Sequence, residues 1–532
     1  MEQFDKDLCS IQEARDLVKA GKAATDQLAT FTAEQIDHIL QYMVESAEEH
    51  AAELAEMAVV ETGFGKVKDK AYKNHAAATL LYNQIKDQKT IGVVSEDQAN
   101  KTFEVADPVG LVMGIVPSTN PTSTVIFKAM IAIKSRNAIV FAPHPAAAKC
   151  TYKAAEILAD AAEAAGAPKG TIGCVSTPTM PSTNELMHAK DVSLIIATGG
   201  PGMVKAAYSA GKPAIGVGAG NSPAYIEKTA NVHDAVARII ASKSFDYGTI
   251  CASEQSIVAE ESNKDQVIAE LKAQGGYFMS EEETAKVCKV LFRPGSHSMS
   301  AKYVGRSPQV IAKGAGITIP ADTKVLVGPQ GGVGDGYPLS YEKLTSVLAF
   351  YSVKDWHEAC ELSIRLLQNG IGHTMSLHTN DPEMILKFAA KPASRILVNT
   401  GGSQGGTGLS TGLPIAFTLG CGTMGGSSVS ENVGPKHLLN IKTVACGIKD
   451  VTTLADDDPT FHFDEKATTQ TATPAYSSDQ DAAPACKTVT TPEPLKQSPA
   501  AIQQAFDAQS GKVDKDKLAD VVKKLLLAMN DK

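Results

Sequence analysis

Hydrophobic and polar positions at the start of the chain follow a helical period. Between 32 and 60 the apolar residues recur three and four positions apart, which is the spacing of one buried helix face. They are Ile36, Ile39, Leu40, Met43, Val44 and Ala47. Thr32 and Gln35 predict a capping box at the start of this helix, and 8–20 predicts another helix. Residues 90–105 predict a β-hairpin with a polar central turn.

From residue 109 onward, short apolar runs alternate with helical segments. Strands are predicted at 109–116, 138–142, 171–175 and 192–197, and helices at 122–135, 146–165 and near 183–189. A second alternating segment begins with a helix at 233–244. Its strands are predicted near 255–259, 324–327, 347–351, 374–378 and 395–399. This order predicts an α/β fold with two doubly wound, mostly parallel sheets, which bind ligands at the carboxyl ends of their strands.

The same patterns divide the chain into domains. Residues 1–232 form the first α/β domain, which includes the 90–105 hairpin, and residues 233–425 form the second. Residues 426–450 contain a late strand that is expected to leave the body of its domain and pair elsewhere.

The composition changes after about residue 450. Residues 451–500 are rich in Thr, Ala, Pro, Asp and Ser, which predicts a disordered linker. Residues 501–532 end in a short amphipathic helix whose apolar side chains share one face: Leu518, Val521, Val522, Leu525, Leu526 and Met529. An amphipathic helix on a disordered tether favours docking to a partner over completing its own core.

Composition and charge exclude several classes of protein. The 532 residues, 43% of them hydrophobic, are enough for more than one core. The net charge of −9 without a run of like charges argues against a nucleic-acid surface. No apolar stretch predicts a membrane span or a secretion signal. The nine cysteines form no CxxC pair, so we expect reduced cytosolic thiols and no metal site.

Two loops offer candidates for acyl chemistry. Cys251 lies in the stretch FDYGTICASEQ, between a helix and an apolar β-type run, where a reactive thiol could be placed. A free cysteine is more often a small buried hydrophobe. Asn120 lies in the loop PSTNP, where its amide could donate to a developing oxyanion, an interaction worth about 3 kcal/mol. The simpler reading of this loop is an Asn-Pro turn.

Three further sites carry weaker signals. Thr198, Gly199 and Gly200 follow a strand and precede a helix, where glycines let a backbone approach a phosphate, although the GxGxxG fingerprint is absent. His144 stands between two prolines and could meet a cofactor's sugar or cap a turn. Glu342 could hold ribose hydroxyls or form a surface ion pair.

Taken together, PSTNP, TGGPG, FDYGTICASEQ and EKLTSVLAF resemble the CoA-acylating branch of the aldehyde dehydrogenase superfamily. The resemblance covers about 10–447, and GGSSVSENVGPKHLLNIKTVA at 425–445 is similar to the end of that branch, including the aldehyde dehydrogenase half of bifunctional aldehyde-alcohol dehydrogenases. It implies that 1–232 binds NAD, with NADP as the alternative, and that 233–425 is the catalytic domain.

The resemblance also assigns roles to the candidate residues. It implies that Cys251 is the catalytic thiol and Asn120 the oxyanion-hole amide. Thr198, Gly199 and Gly200 resemble the turn beside the cofactor pyrophosphate, and Glu342 the carboxylate on the nicotinamide ribose. His144 stands where many members carry a lysine toward the adenosine ribose.

One departure from the superfamily bears on the fate of the acyl group. Residues 216–223 read GVGAGNSP, whereas hydrolytic members read ELGGKSP, which puts Val217 in the place of their general-base glutamate. Without that base, a thioester on Cys251 would hydrolyse slowly. The thiol of coenzyme A needs less activation than water does. We therefore expect acyl transfer to CoA.

The predicted activity is NAD-dependent, CoA-acylating oxidation of propionaldehyde or acetaldehyde. The tail resembles the encapsulation peptides of enzymes in bacterial microcompartments, which implies a shell-protein partner within the bacterial cytoplasm. The family also implies a dimer or tetramer bridged by the 90–105 hairpin and the 437–446 strand. The alternatives are an acylating dehydrogenase for a semialdehyde such as succinate semialdehyde, a hydrolytic aldehyde dehydrogenase, and a non-catalytic microcompartment scaffold.

Overall fold

The computed structural model of the chain describes residues 5–367 and 370–463. Residues 451–463, the described part of the predicted linker, form turns and are almost entirely exposed. The rest of that linker and the amphipathic helix predicted within 501–532 lie outside the described residues. Within the described ranges, no helix is long and apolar enough to cross a membrane.

Helices form the N-terminal part of the chain. They are α1 (Lys6–Leu28), α2 (Ala33–Glu49), α3 (Ala51–Thr62), α4 (Val67–His75) and α5 (Leu81–Ile85). The predicted capping box is confirmed, because Thr32 Oγ1 accepts the Gln35 N–H at 3.3 Å and Gln35 Oε1 accepts the Thr32 N–H at 2.9 Å. The helix predicted at 32–60 is two helices, since His50 leaves the helical conformation (φ −100°, ψ 7°).

A hairpin and a parallel sheet follow. Strands β1 (Gly92–Asp97) and β2 (Thr102–Pro108) pair antiparallel, as predicted for 90–105. The next five strands are all parallel, in the order β5-β4-β3-β6-β7. They are β3 (Leu111–Val116), β4 (Ile139–Pro143), β5 (Ile172–Cys174), β6 (Val192–Thr198) and β7 (Ala214–Val217). The helices between them are α6 (Pro121–Lys134), α7 (Ala148–Ala164), α8 (Met180–His188) and α9 (Pro201–Ser209).

A seven-stranded parallel sheet makes up the second half, in the order β10-β11-β12-β9-β8-β13-β14. Its strands are β8 (Ser222–Ile226), β9 (Glu254–Glu260), β10 (Gly276–Phe278), β11 (Val325–Pro329), β12 (Val347–Val353), β13 (Gly372–His378) and β14 (Ala393–Val398). Its helices are α10 (Val232–Ser244), α11 (Lys264–Ala273), α12 (Glu281–Leu291), α13 (Pro308–Ala315), α14 (Trp356–Leu366), α15 (Pro382–Ala389) and α16 (Gly402–Gly406). The α/β class predicted from the sequence is confirmed.

The structure corrects the predicted boundary at 232/233. Strand β8 precedes that boundary, yet it lies in the middle of the seven-stranded sheet, so the chain changes sheets between Val217 and Ser222. The second predicted domain also ends earlier than 425, because Phe417 and Leu419 pack into the core of the five-stranded sheet. Hydrophobic contacts therefore return the chain to the first sheet before the late strand begins.

The late strand pairs with the hairpin. Strand β15 (Leu439–Ala445) runs antiparallel to β2 over its whole length and completes a three-stranded sheet in the order β1-β2-β15. Six of its seven residues are exposed. Lys442 forms an ion pair with Asp107 of β2. The expectation that this strand pairs outside the main sheets is confirmed, and its predicted role between subunits stays a prediction.

Replacing Thr32 by Ala should lower the free energy of unfolding by about 1 kcal/mol, since the first turn of α2 then loses a side-chain acceptor. The melting temperature measured by calorimetry should fall accordingly. Thr32→Ser keeps the hydroxyl and should melt close to the wild type. Equal melting temperatures for Thr32→Ala and the wild type would contradict the capping role.

Candidate active site

Cys251 follows a turn with an unusual backbone. After α10 ends, Asp246 and Tyr247 adopt left-handed conformations, with φ of 47° and 52°. Such conformations are costly for residues other than glycine and persist where surrounding contacts fix them. Here the fixing contacts converge on the buried Asp246 carboxylate, which accepts from Lys70 Nζ at 2.9 Å and from Thr249 Oγ1 at 2.7 Å. The turn places Cys251 three residues before β9.

The Cys251 thiol faces a buried imidazole. His373 Nε2 lies 3.2 Å from Cys251 Sγ. Burial, followed by the nearby Glu342 carboxylate, raises the pKa of Cys251 to about 12. Burial and then Arg395 hold the pKa of His373 well below its usual value. Both groups are therefore neutral near pH 7, a thiol beside an imidazole rather than an ion pair.

The second nitrogen of His373 is held as well. His373 Nδ1 lies 2.8 Å from Thr374 Oγ1, and that oxygen accepts from Arg395 Nε at 3.2 Å. The ring therefore has one nitrogen fixed and the other toward the thiol. His373 was not predicted from the sequence, because β13 (GHTMSLH) carries two histidines and neither belongs to a recognisable motif. A buried histidine in a strand is usually an ordinary core residue.

Asn120 contacts the loop that carries Cys251. It is the N-cap of α6, and its Nδ2 donates to the Thr249 carbonyl oxygen at 3.0 Å. Its Oδ1 accepts from Lys73 Nζ. Asn120 and Cys251 line the same cavity of about 370 Å³, so the amide and the thiol belong to one site.

The residues predicted to hold the cofactor line this cavity too. They are His144, Thr198, Gly199, Gly200 and Glu342. A Cβ built on Gly200 would meet nothing within 4 Å, so the N-terminus of α9 is open to the cavity. Open space at a helix N-terminus is suited to a pyrophosphate. The residues present therefore fit a dinucleotide.

His144 and Glu342 already accept hydrogen bonds from backbone N–H groups. His144 Nδ1 accepts the Ala146 N–H at 3.1 Å, and partial burial lowers its pKa. Glu342 Oε1 accepts the Gly220 N–H at 2.8 Å, and burial raises its pKa to about 7. Each residue keeps one further polar atom for a ligand.

Val217 ends β7 and lines the cavity, with 2% of its surface exposed. The described lining of the cavity contains one carboxylate, Glu342, and neither lysine nor arginine.

A larger cleft of 1110 Å³ extends along α12 and the loop 329–338, and none of the predicted site residues lines it. No group of acidic, histidine or cysteine side chains in the described ranges could hold a metal ion.

Comparison with known proteins identifies the family. The sequence profile of the aldehyde dehydrogenase family matches residues 6–279. The crystal structure of an acetylating aldehyde dehydrogenase from Geobacillus thermoglucosidasius is 54% identical, with a TM-score of 0.83 over 84% of this chain and 99% of that one. The chain belongs to the aldehyde dehydrogenase family, which confirms the resemblance.

Two other relatives show the breadth of the aldehyde dehydrogenase family. A bifunctional aldehyde-alcohol dehydrogenase of Escherichia coli is 48% identical over 443 residues, 82% of this chain, which spans 50% of that relative's length. A propionaldehyde dehydrogenase from a fucose utilisation bacterial microcompartment of Clostridium phytofermentans is 26% identical, with a TM-score of 0.74 over 82% of this chain and 97% of that one.

The raised pKa of Cys251 predicts how the thiol reacts in the free protein. Alkylation by iodoacetamide should be slow at pH 7 and accelerate about tenfold per pH unit up to pH 9, because only the thiolate reacts. Mass spectrometry of the Cys251 peptide measures the rate, and the exposed Cys446 serves as the reagent control. A rate independent of pH in this range would reveal a thiolate-imidazolium pair instead.

Proposed function

We propose that this protein oxidises a short-chain aldehyde, propionaldehyde or acetaldehyde, to its acyl-CoA with reduction of NAD. The observation that carries the proposal is the cavity lined by the Cys251 thiol and the Asn120 amide, with Val217 where hydrolytic relatives place their base. The buried His373 imidazole contacts the same thiol from outside the cavity lining. The relatives named acetylating aldehyde dehydrogenase and propionaldehyde dehydrogenase support the same reaction class.

The first half-reaction joins the aldehyde to Cys251. His373 Nε2 takes the thiol proton as sulfur forms a bond to the carbonyl carbon. The negative charge then passes to the carbonyl oxygen, where Asn120 Nδ2 donates a hydrogen bond to it. Collapse of this adduct expels hydride and leaves a thioester on Cys251.

NAD supplies the hydride acceptor when it is bound. Thr198, Gly199 and Gly200 at the start of α9 would hold its pyrophosphate, and Glu342 a ribose. His144 would meet the adenosine ribose. A 2′-phosphate would need a cation, and the described lining of the cavity has neither lysine nor arginine, which favours NAD over NADP.

The second half-reaction transfers the acyl group. The CoA thiol, a few per cent ionised at neutral pH, attacks the thioester carbon and releases the Cys251 thiolate. Water would need a base, and Val217 cannot provide one. Glu342, with its pKa raised to about 7, is bonded to the Gly220 N–H and is assigned to the cofactor. Acyl transfer to CoA is therefore favoured over hydrolysis.

The lining also bears on the aldehyde. Phe64, Ile250, Val304, Leu344 and Phe417 give the cavity an apolar wall. Such a wall suits a short alkyl chain. A semialdehyde such as succinate semialdehyde carries a carboxylate, for which the described lining offers no cationic partner. Propionaldehyde and acetaldehyde are thus preferred.

Without CoA, the wild type should form at most one NADH per site and no steady carboxylic acid, whereas CoA should restore turnover. Cys251→Ala should form neither NADH nor carboxylic acid. Val217→Glu should produce carboxylic acid without CoA, at least about tenfold faster than the wild type, because a carboxylate can activate water. NADH absorbance and chromatography of acid and acyl-CoA measure these outcomes.

Val217→Gln is the matched control, of similar size but without a base, and should not hydrolyse the thioester. Steady carboxylic acid production by the wild type in the absence of CoA would contradict the proposed reaction.

The assembly is part of the same proposal. The sheet β1-β2-β15 exposes Val93, Ile441 and Val444, each more than 40% accessible, which suits pairing with another subunit in a dimer or tetramer. The tail at 501–532 would bind a microcompartment shell protein through its apolar face. One relative comes from a bacterial microcompartment, which supports a location of this protein inside such a compartment.

A chain ending at residue 500 should keep the activity of the full chain and lose its co-sedimentation with shells, because it lacks the proposed docking helix. A second variant tests the same role in the full-length chain. Leu525→Asp places a charge among the apolar positions of the tail and should also stay in the supernatant. Co-sedimentation of the shortened chain would contradict the docking role.

A further inference from the structure

A buried ion cluster includes Asp246, which belongs to the turn before Cys251. The side chains of Lys70, Lys73 and Asp246 are 2%, 1% and 0% exposed, and both ammonium groups contact the same carboxylate oxygen, Oδ2 of Asp246. Two cations thus share one direct anionic partner. Because an unpaired buried charge is costly, each lysine needs further acceptors.

The two lysines direct their remaining donors to different residues. Lys70 Nζ donates to the carbonyl oxygen of Thr119 at 2.9 Å. Lys73 Nζ donates to the side-chain Oδ1 of Asn120 and is 3.4 Å from Thr249 Oγ1. Within the cluster, therefore, Lys73 is the lysine that contacts the Asn120 amide.

This contact settles which way the amide points. An ammonium group donates hydrogen bonds and cannot accept them. The atom of Asn120 that faces Lys73 must therefore be the oxygen, which turns Nδ2 toward the loop of Cys251. There Nδ2 donates to the Thr249 carbonyl oxygen at 3.0 Å and to Thr119 Oγ1 at 3.2 Å. A flipped amide would present its oxygen to the developing oxyanion and repel it.

We propose that Lys73 is a positioning residue for the oxyanion site, which acts by holding Asn120 with its NH2 group toward Cys251. The inference rests on the proposed function, in which Asn120 stabilises the oxyanion. Asp246 completes the arrangement, because its carboxylate holds the lysine on one side and fixes the turn before Cys251 on the other.

The test compares Lys73→Met with Lys70→Met, its matched control from the same cluster. Lys73→Met should lower kcat/KM for the aldehyde about 100-fold, the order of loss for one oxyanion donor, and Lys70→Met only a few-fold. Rates are normalised to the fraction of each variant that shows the cooperative unfolding transition of the wild type in calorimetry, so misfolded protein does not count.

A double-mutant cycle with Asn120→Ala separates positioning from a purely structural role. If Lys73 acts through Asn120, Lys73→Met should cause almost no further loss of kcat/KM in the Asn120→Ala background. The proposal is overturned if the two lysine variants lose equal activity, or if the Lys73→Met loss is as large in that background as in the wild type. Absence of CoA-dependent activity in the wild type would instead refute the proposed function.

Discussion

The active site depends on one buried electrostatic contact, the Asp246 carboxylate between Lys70 and Lys73. It joins helix α4 to the left-handed turn that presents Cys251, although the partners are more than 170 residues apart in sequence. Removing the Asp246 carboxylate would leave both lysines without their shared partner, and such a loss in a buried ion pair typically costs about 3–5 kcal/mol. The nucleophile and its oxyanion donor thus share a single anchor, which couples their positions.

The surroundings of Cys251 act on its chemistry mainly by shielding the thiol and the neighbouring imidazole from water. Burial keeps the Cys251 thiol and the His373 imidazole neutral, so the thiol stays protonated until an aldehyde and the imidazole act together. Val217 offers the proposed thioester no base to activate water. A thioester protected from water is what the proposed acyl transfer to CoA requires.

Much of the fold was predictable because local signals agreed with tertiary structure, as in the Thr32 capping box and the apolar runs of β3, β6 and β12. Strand β8 was missed because Pro223 argues against a central strand. The sheet accommodates it where the register with β9 shifts. The motifs around Asn120 and Cys251 were visible in the sequence. The partnerships of Lys73 and His373 were not, since each residue meets the site only through long-range folding.

The proposed reaction depends on a thioester that forms on Cys251 and persists until CoA arrives. Intact-protein mass spectrometry after mixing with propionaldehyde and NAD detects such an adduct. We expect one propionyl adduct per chain, localised to Cys251, that persists without CoA and is lost with formation of propionyl-CoA when CoA is added. An adduct that decays at the same rate with and without CoA, releasing propionate, would contradict the proposed reaction.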